Sequence, residues 1–193
     1  AWPRSLYLAG APQQARQALD EALARGTPHP QLLRLQGELA LLAGDAAGAA
    51  DAFERGRQLR PQQSLGQTLA LLHGVGAADG AWIDQRLQQL AANAGAGDGW
   101  PDAALERALL LQARGHAGDA VAALQQAVDD GFRDVAWLRA TPLFVPLRSA
   151  PGWPALLQRL DADIARQRAQ VLAASWRPDD LAALSAAPAA GTR

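Results

Sequence analysis

The residues best able to do chemistry in this chain are few and scattered. Its three histidines, His29, His73 and His116, lie 44 and 43 residues apart, so no His-x3-His pair faces a transition metal from one helix, and there is no cysteine to supply a thiolate. His73 and His116 stand at the ends of apolar helical runs, where an imidazole favours the last carbonyls, and both are expected to cap helix C-termini. The acidic pairs Asp129-Asp130 and Asp179-Asp180 have the composition of a general acid and base. The first, however, enters a turn before Gly131, and the second follows Pro178 at a helix start, where carboxylates favour the helix dipole. The glycines of "GAGDG" from Gly95 have neither the lysine of a phosphate loop nor a preceding strand. Ser5, Ser64, Ser149 and Ser175 have no nucleophile-elbow setting. The expectation is a chain with no catalytic residue, no metal site and no cofactor.

The elements that must position any surface chemistry are clearer. In "HPQLLRLQGELALLAG" the residues Leu32, Leu35, Leu39 and Leu42 form one helical stripe, widened by Leu33, Ala40 and Ala43. Gly44 stops this helix, Asp45 is a cap for the next, and Ala46, Ala49, Ala50, Phe53 and Leu59 define a second helix that ends at Arg60-Pro61. Leu-Ala-Gly at Leu8 precedes the Leu-Ala-Gly at Leu42 by 34 residues. In "DAALERALLLQARGHAGDAVAALQQAVDDGF" the residues Gly115, Ala120, Leu124 and Ala127 answer Gly44, Ala49, Phe53 and Gly56 at a common separation of 71, two periods plus three. A weaker pair lies between, with Leu65, Leu69 and Leu72 and then Ile83, Leu87 and Leu90, and the added residues fall in the glycine-rich loop from Asn93 to Gly99. Ala15, Leu19 and Ala22 put a first copy in register, with only Ala1 to Ala9 left for its leading helix.

This period, with Gly37, Gly44, Ala49, Phe53 and Pro61 in place, resembles the tetratricopeptide repeat. Small residues at Gly37 and Ala49 let two helices approach closely, and Phe53 fills the space towards the next hairpin. Leu33, Gln36 and Ala40 stand where the family has tryptophan, leucine and tyrosine, so the repeats are degenerate. The resemblance implies an all-α, right-handed α-solenoid of helical hairpins, three and a half of them over residues 1–130. Beyond it, "GFRDVAWLRATPLFVPLRSAPGWPALLQRLDADIARQRAQ" breaks the period. It is similar to the tail that closes many bacterial tetratricopeptide proteins behind winged-helix regulator, protein kinase or nucleotide cyclase domains. Residues 131–186 are therefore expected to form a non-repeating helical cap over the exposed solenoid end, and 187–193 a disordered tail. The cap's long helix runs from about Pro151 to Ala174, with Leu156, Leu160, Ile164 and Val171 buried and Asp161, Asp163, Arg166 and Arg168 wet. Trp137 and Trp153 belong to the cap core, and Trp82 and Trp100 pack between hairpins.

In this family the concave face is lined by the first helix of each hairpin. By position the partner-binding residues fall on Gln31, Arg34 and Glu38 in the second hairpin and on Asp102, Leu105 and Glu106 in the fourth. The family's clamp for a terminal carboxylate uses lysines and asparagines, and this chain has no lysine and only Asn93. A groove with Glu38, Asp102 and Glu106 beside Arg34 suits a mixed or basic protein segment.

The bulk composition agrees. A chain of 193 residues is long enough to bury about 70% of its unfolded surface. With 18 basic residues against 19 acidic ones there is no net field for nucleic acid or an anionic membrane. Every basic residue is arginine, which together with the alanine excess fits a GC-rich bacterial genome. No apolar run approaches the ~20 residues of a membrane span, and the absence of cysteine leaves cytoplasm and periplasm equally open. The chain contains no methionine and starts inside an apolar pattern, which implies a processed or excised piece of a longer protein with a neighbouring domain. Together these point to a non-catalytic protein–protein interaction or regulatory module. The alternative is the extracytoplasmic sensing domain of a membrane-anchored transcriptional regulator that binds a small ligand or peptide.

Overall fold

The computed structural model describes residues 2–26, 29–74, 76, 78–95 and 101–174. The chain is all-α, and no strand occurs among the described residues. In order the elements are α1 (Pro3–Leu8), α2 (Pro12–Arg25), α3 (Pro30–Leu42), α4 (Ala46–Leu59), α5 (Ser64–His73), α6 (Gly80–Gly95), α7 (Pro101–Ala113), α8 (Ala117–Asp129), α9 (Val135–Ala140), a 3-10 segment (Pro142–Leu147) and α10 (Trp153–Ala173). Trp100, Ser175, Asp179, Asp180, the glycine loop beyond Gly95 and the expected tail lie outside the described residues.

Local chemistry sets the helix boundaries. Prolines open α1, α2, α3 and α7, where the missing N–H is one that a helix leaves unpaired anyway. Asp45 caps α4 by accepting from the Gly48 N–H at 2.8 Å, and Asp134 caps α9 by accepting from Trp137 N–H at 3.0 Å. The joints within the helix pairs α1/α2, α3/α4 and α7/α8 are copies of one motif. Gly10, Gly44 and Gly115 take φ of 78°, 74° and 79°. The next N–H reaches back five residues, Ala11 to Leu6, Asp45 to Ala40 and His116 to Leu111, at 3.0, 2.9 and 2.9 Å. That left-handed turn needs glycine and satisfies carbonyls at the helix end.

Packing between α3 and α4 follows from Gly37. A Cβ there would lie 2.6 Å from Phe53 Cζ and 2.8 Å from Phe53 Cδ1, so the ring of α4 rests directly on the α3 backbone. The ring also meets His73 of α5, with centroids 5.1 Å apart. Phe53 thus bridges its own pair and the next, as its spacing predicts. The third pair departs from the pattern, because α5 packs on α4 and α7 while α6 lies against α7 through Ile83, Leu90 and Leu110. Trp82 is half-buried beside that cluster.

The segment after α8 does more than close one end. α9 touches α1, α10 touches α8 and α9, and the 3-10 segment touches α3, α7 and α8. Trp137 and Trp153 are buried as expected, and Trp137 packs edge-on against both Phe132 and Phe144. Three expectations are corrected. His116 occupies the N-cap position of α8 rather than a helix C-terminus. In α10, Asp163 is only 8% exposed and Val171 is 44% exposed, the reverse of the expected faces. Every residue from Ala165 to Val171 is exposed, so the apolar period is buried only in the first half of α10. Leu42, counted in the α3 stripe, is exposed at the joint.

Candidate functional site

The two glutamates expected on an open face are the most buried acids among the described residues, and each is saturated with donors. Glu38 of α3 is 2% exposed. Its carboxylate accepts from the Tyr7 hydroxyl of α1 at 3.1 Å, from the Trp137 indole N–H of α9 at 3.0 and 3.1 Å, and from Arg34 Nε one turn back at 3.1 Å. Burial, and then the adjacent carboxylate, push the Tyr7 phenol well above its ordinary range. The Arg34 guanidinium stands 4.6 Å from the Trp137 ring centroid, over its face. Glu38 therefore ties three elements together.

Glu106 of α7 is 1% exposed. It accepts from the Thr68 hydroxyl at 2.7 Å, from the Ser64 hydroxyl, and from Arg86 Nε at 2.8 Å and Nη2 at 3.4 Å. A charge in this setting is tolerated only with a counter-charge and filled lone pairs, which Arg86 of α6 and the two hydroxyls of α5 provide. The acid holds α5, α6 and α7 in register.

Beside Glu38 lie two neighbouring cavities that share part of their lining. The first, of about 320 Å³, is lined by Arg4 and Tyr7 of α1, by Gln31, Arg34, Leu35 and Glu38 of α3, by Asp102 and Leu105 of α7, and by Phe132, Asp134 and Trp137. The second, of about 180 Å³, has Phe53, Leu65 and Leu69 as apolar walls. Gln31, Arg34 and Asp102 line both. Arg4 and Asp134 form an ion pair at the rim of the first cavity. Five of the six sequence-predicted partner residues, Gln31, Arg34, Glu38, Asp102 and Leu105, thus meet in one cleft. Glu106 is directed instead into the α5/α6 contact and a wider depression that Asp102 also borders.

The sequence reading did not foresee Tyr7 and Trp137 in this cleft. Their partner Glu38 lies 31 and 99 residues away respectively, beyond the reach of any helical period. No local signal announces such pairing, although a lone tyrosine opposite a glutamate on a stripe of leucines hints that the acid has a buried donor.

Three other titratable groups make structural contacts. His29 caps α3, its Nδ1 accepting from the Gln31 N–H at 3.2 Å. His73 is packed on Phe53, and burial lowers its pKa from the ordinary imidazole value. Asp129 is paired with Arg159 of α10. Among the described residues no group of three or more histidines and acids is placed to hold a metal ion, and no helix is long and apolar enough to cross a membrane. Compared with protein-family models, with curated proteins and with solved structures, the chain matches none.

Proposed function

We propose that this chain is a non-catalytic binding module, a right-handed solenoid of degenerate tetratricopeptide hairpins whose inner face takes a protein or peptide segment. In this reading it is a regulatory arm of a larger bacterial protein. One observation carries it: Gln31, Arg34 and Asp102, picked by repeat position from helices α3 and α7, line a common cleft. The Gly37–Phe53 contact and the three copies of the glycine joint support the repeat assignment. The cap contributes a wall of that cleft through Phe132 and Trp137, so repeats and cap act together rather than as binder and lid.

A second reading, a sensing domain for a small ligand or short peptide, is favoured by the larger cavity, whose volume of about 320 Å³ is of small-molecule size. Both readings use the same residues. The test is selection from a displayed peptide library against the full chain, followed by Gln31→Ala/Asp102→Ala. These two side chains are exposed, so the fold survives, whereas reversing the charge of Glu38 would destroy the core. Loss of the selected peptides by at least about tenfold supports the inner face. Unchanged binding with an intact circular dichroism spectrum removes it as the site.

A further inference from the structure

Two charged groups in the cleft keep unused hydrogen-bonding capacity after the network is assigned, although the charge of Arg34 is already paired with Glu38. Arg34 spends only Nε on Glu38, and its Nη1 and Nη2 make no hydrogen bond among the described residues. The side chain is 28% exposed and held from two directions, by the buried carboxylate and by the Trp137 face. A guanidinium fixed in this way presents a planar fork of N–H donors, prepaid in side-chain entropy and permanently charged, which matches a carboxylate. Asp102 is exposed in the first turn of α7 and has no ion pair or hydrogen bond among the described residues. Both groups line both cavities.

This juxtaposition, among the described residues, of free guanidinium N–H donors and an unpaired carboxylate constrains the ligand. An anion would meet Arg34 but face Asp102, and a cation the converse, so each would lose on one group what it gained on the other. A dipolar molecule satisfies both. The second cavity adds Phe53, Leu65 and Leu69 and carries no charged residue other than Arg34 and Asp102, so it takes an apolar group. Gly56 and Gly66 keep its floor open.

We propose that the part of the cleft lined by Arg34 and Asp102 binds a free α-amino acid with an apolar side chain. Its carboxylate lies on the Arg34 fork, its ammonium group on Asp102, and its side chain among Phe53, Leu65 and Leu69. The assignment rests on the inner face being the binding surface, and it names the ligand.

The experiment is calorimetric titration of the full chain with L-leucine and L-phenylalanine, against N-acetyl-L-leucine, L-leucinamide and the dipeptide Leu-Leu, repeated on Asp102→Asn. The first analogue lacks the ammonium charge, the second the carboxylate, and the third separates the two charges. Saturable binding of leucine or phenylalanine, with each analogue and Asp102→Asn weaker by about tenfold or more, is the expected result. No binding of either amino acid up to about 10 mM overturns the proposal. So does equal binding of any of the three analogues, or an affinity unchanged in Asp102→Asn. Library peptides that depend on Gln31 and Asp102, without any amino-acid response, would overturn this site while leaving the inner-face reading intact.

Discussion

Replacing Gly37 by alanine tests the helix contact on which the repeat assignment depends. Gly37 lies inside α3, where alanine would ordinarily improve helix stability by about 1 kcal/mol. Here the new Cβ falls 2.6 and 2.8 Å from two carbons of the Phe53 ring, well inside van der Waals contact. The ring has little room to retreat, since it is almost fully buried and its surroundings include His73. Overpacking of this kind costs about 1–3 kcal/mol beyond any propensity gain, because side chains or backbone must shift in a close-packed interior. For a chain of this size the net loss corresponds to about 2–12 °C in Tm. Differential scanning calorimetry of Gly37→Ala should show that loss, and Gly37→Ala/Phe53→Leu should recover part of it by removing the obstructing ring edge. Gly118→Ala is the control: nothing lies within 4 Å of the added carbon in α8, and the change should stabilise by about 0.4–1 kcal/mol. A Gly37→Ala protein as stable as Gly118→Ala would refute the close approach of α3 and α4.

Other perturbations separate buried from exposed electrostatics. Arg86→Leu removes the counter-charge of a buried Glu106 and should cost about 3–5 kcal/mol by urea denaturation, whereas Arg114→Leu, which breaks the exposed pair with Asp84, should cost less than about 1 kcal/mol. Tyr7→Phe and Trp137→Phe each delete a donor to the same carboxylate; each should cost about 1.5–3 kcal/mol, and the double variant should depart from additivity by more than about 0.5 kcal/mol. Tyr7 is the chain's single tyrosine, so absorbance at alkaline pH reports it alone. Its phenol is raised in the folded state, so the associated stability is complete below about pH 10 and declines above it, and ionisation should coincide with unfolding. His73 has the opposite sign: its folded pKa is depressed, so stability present above the unfolded imidazole value should fall on acidification, and the fall in Tm should be smaller in His73→Phe.

The helix pairs α3/α4 and α7/α8 were legible because their determinants are local. Gly44 and Gly115 end helices, Asp45 starts one, and Ala49 and Phe53 recur with the period, so a one-dimensional pattern contains what the turn and the contact require. The fates of Glu38 and Glu106 were not legible. On a helical wheel they read as wet residues, and what buries them comes from 99 and 38 residues away, on elements whose approach no spacing encodes. The same reason applies to Asp163 and Val171: a face is buried by its neighbour, and α10 is exposed throughout from Ala165 to Val171. The candidate cleft was half readable. Gln31, Arg34 and Asp102 follow from repeat position, whereas Tyr7, Phe132 and Trp137 enter only when the two ends of the chain meet.

That meeting of the ends has a consequence for the order in which the protein is made. Glu38 waits for Trp137 through 99 residues of synthesis, an interval of about 5–20 s on a ribosome adding about 5–20 residues per second. During it α1 and α3 have left the exit tunnel with a buried-to-be carboxylate still lacking its indole donor. The hairpin synthesised early is thus among the last regions to reach its final stability. A stop codon after Asp130 removes the cap yet loosens the opposite terminus, and a nascent-chain chaperone would find its longest-lived target at the beginning of this chain rather than at its end.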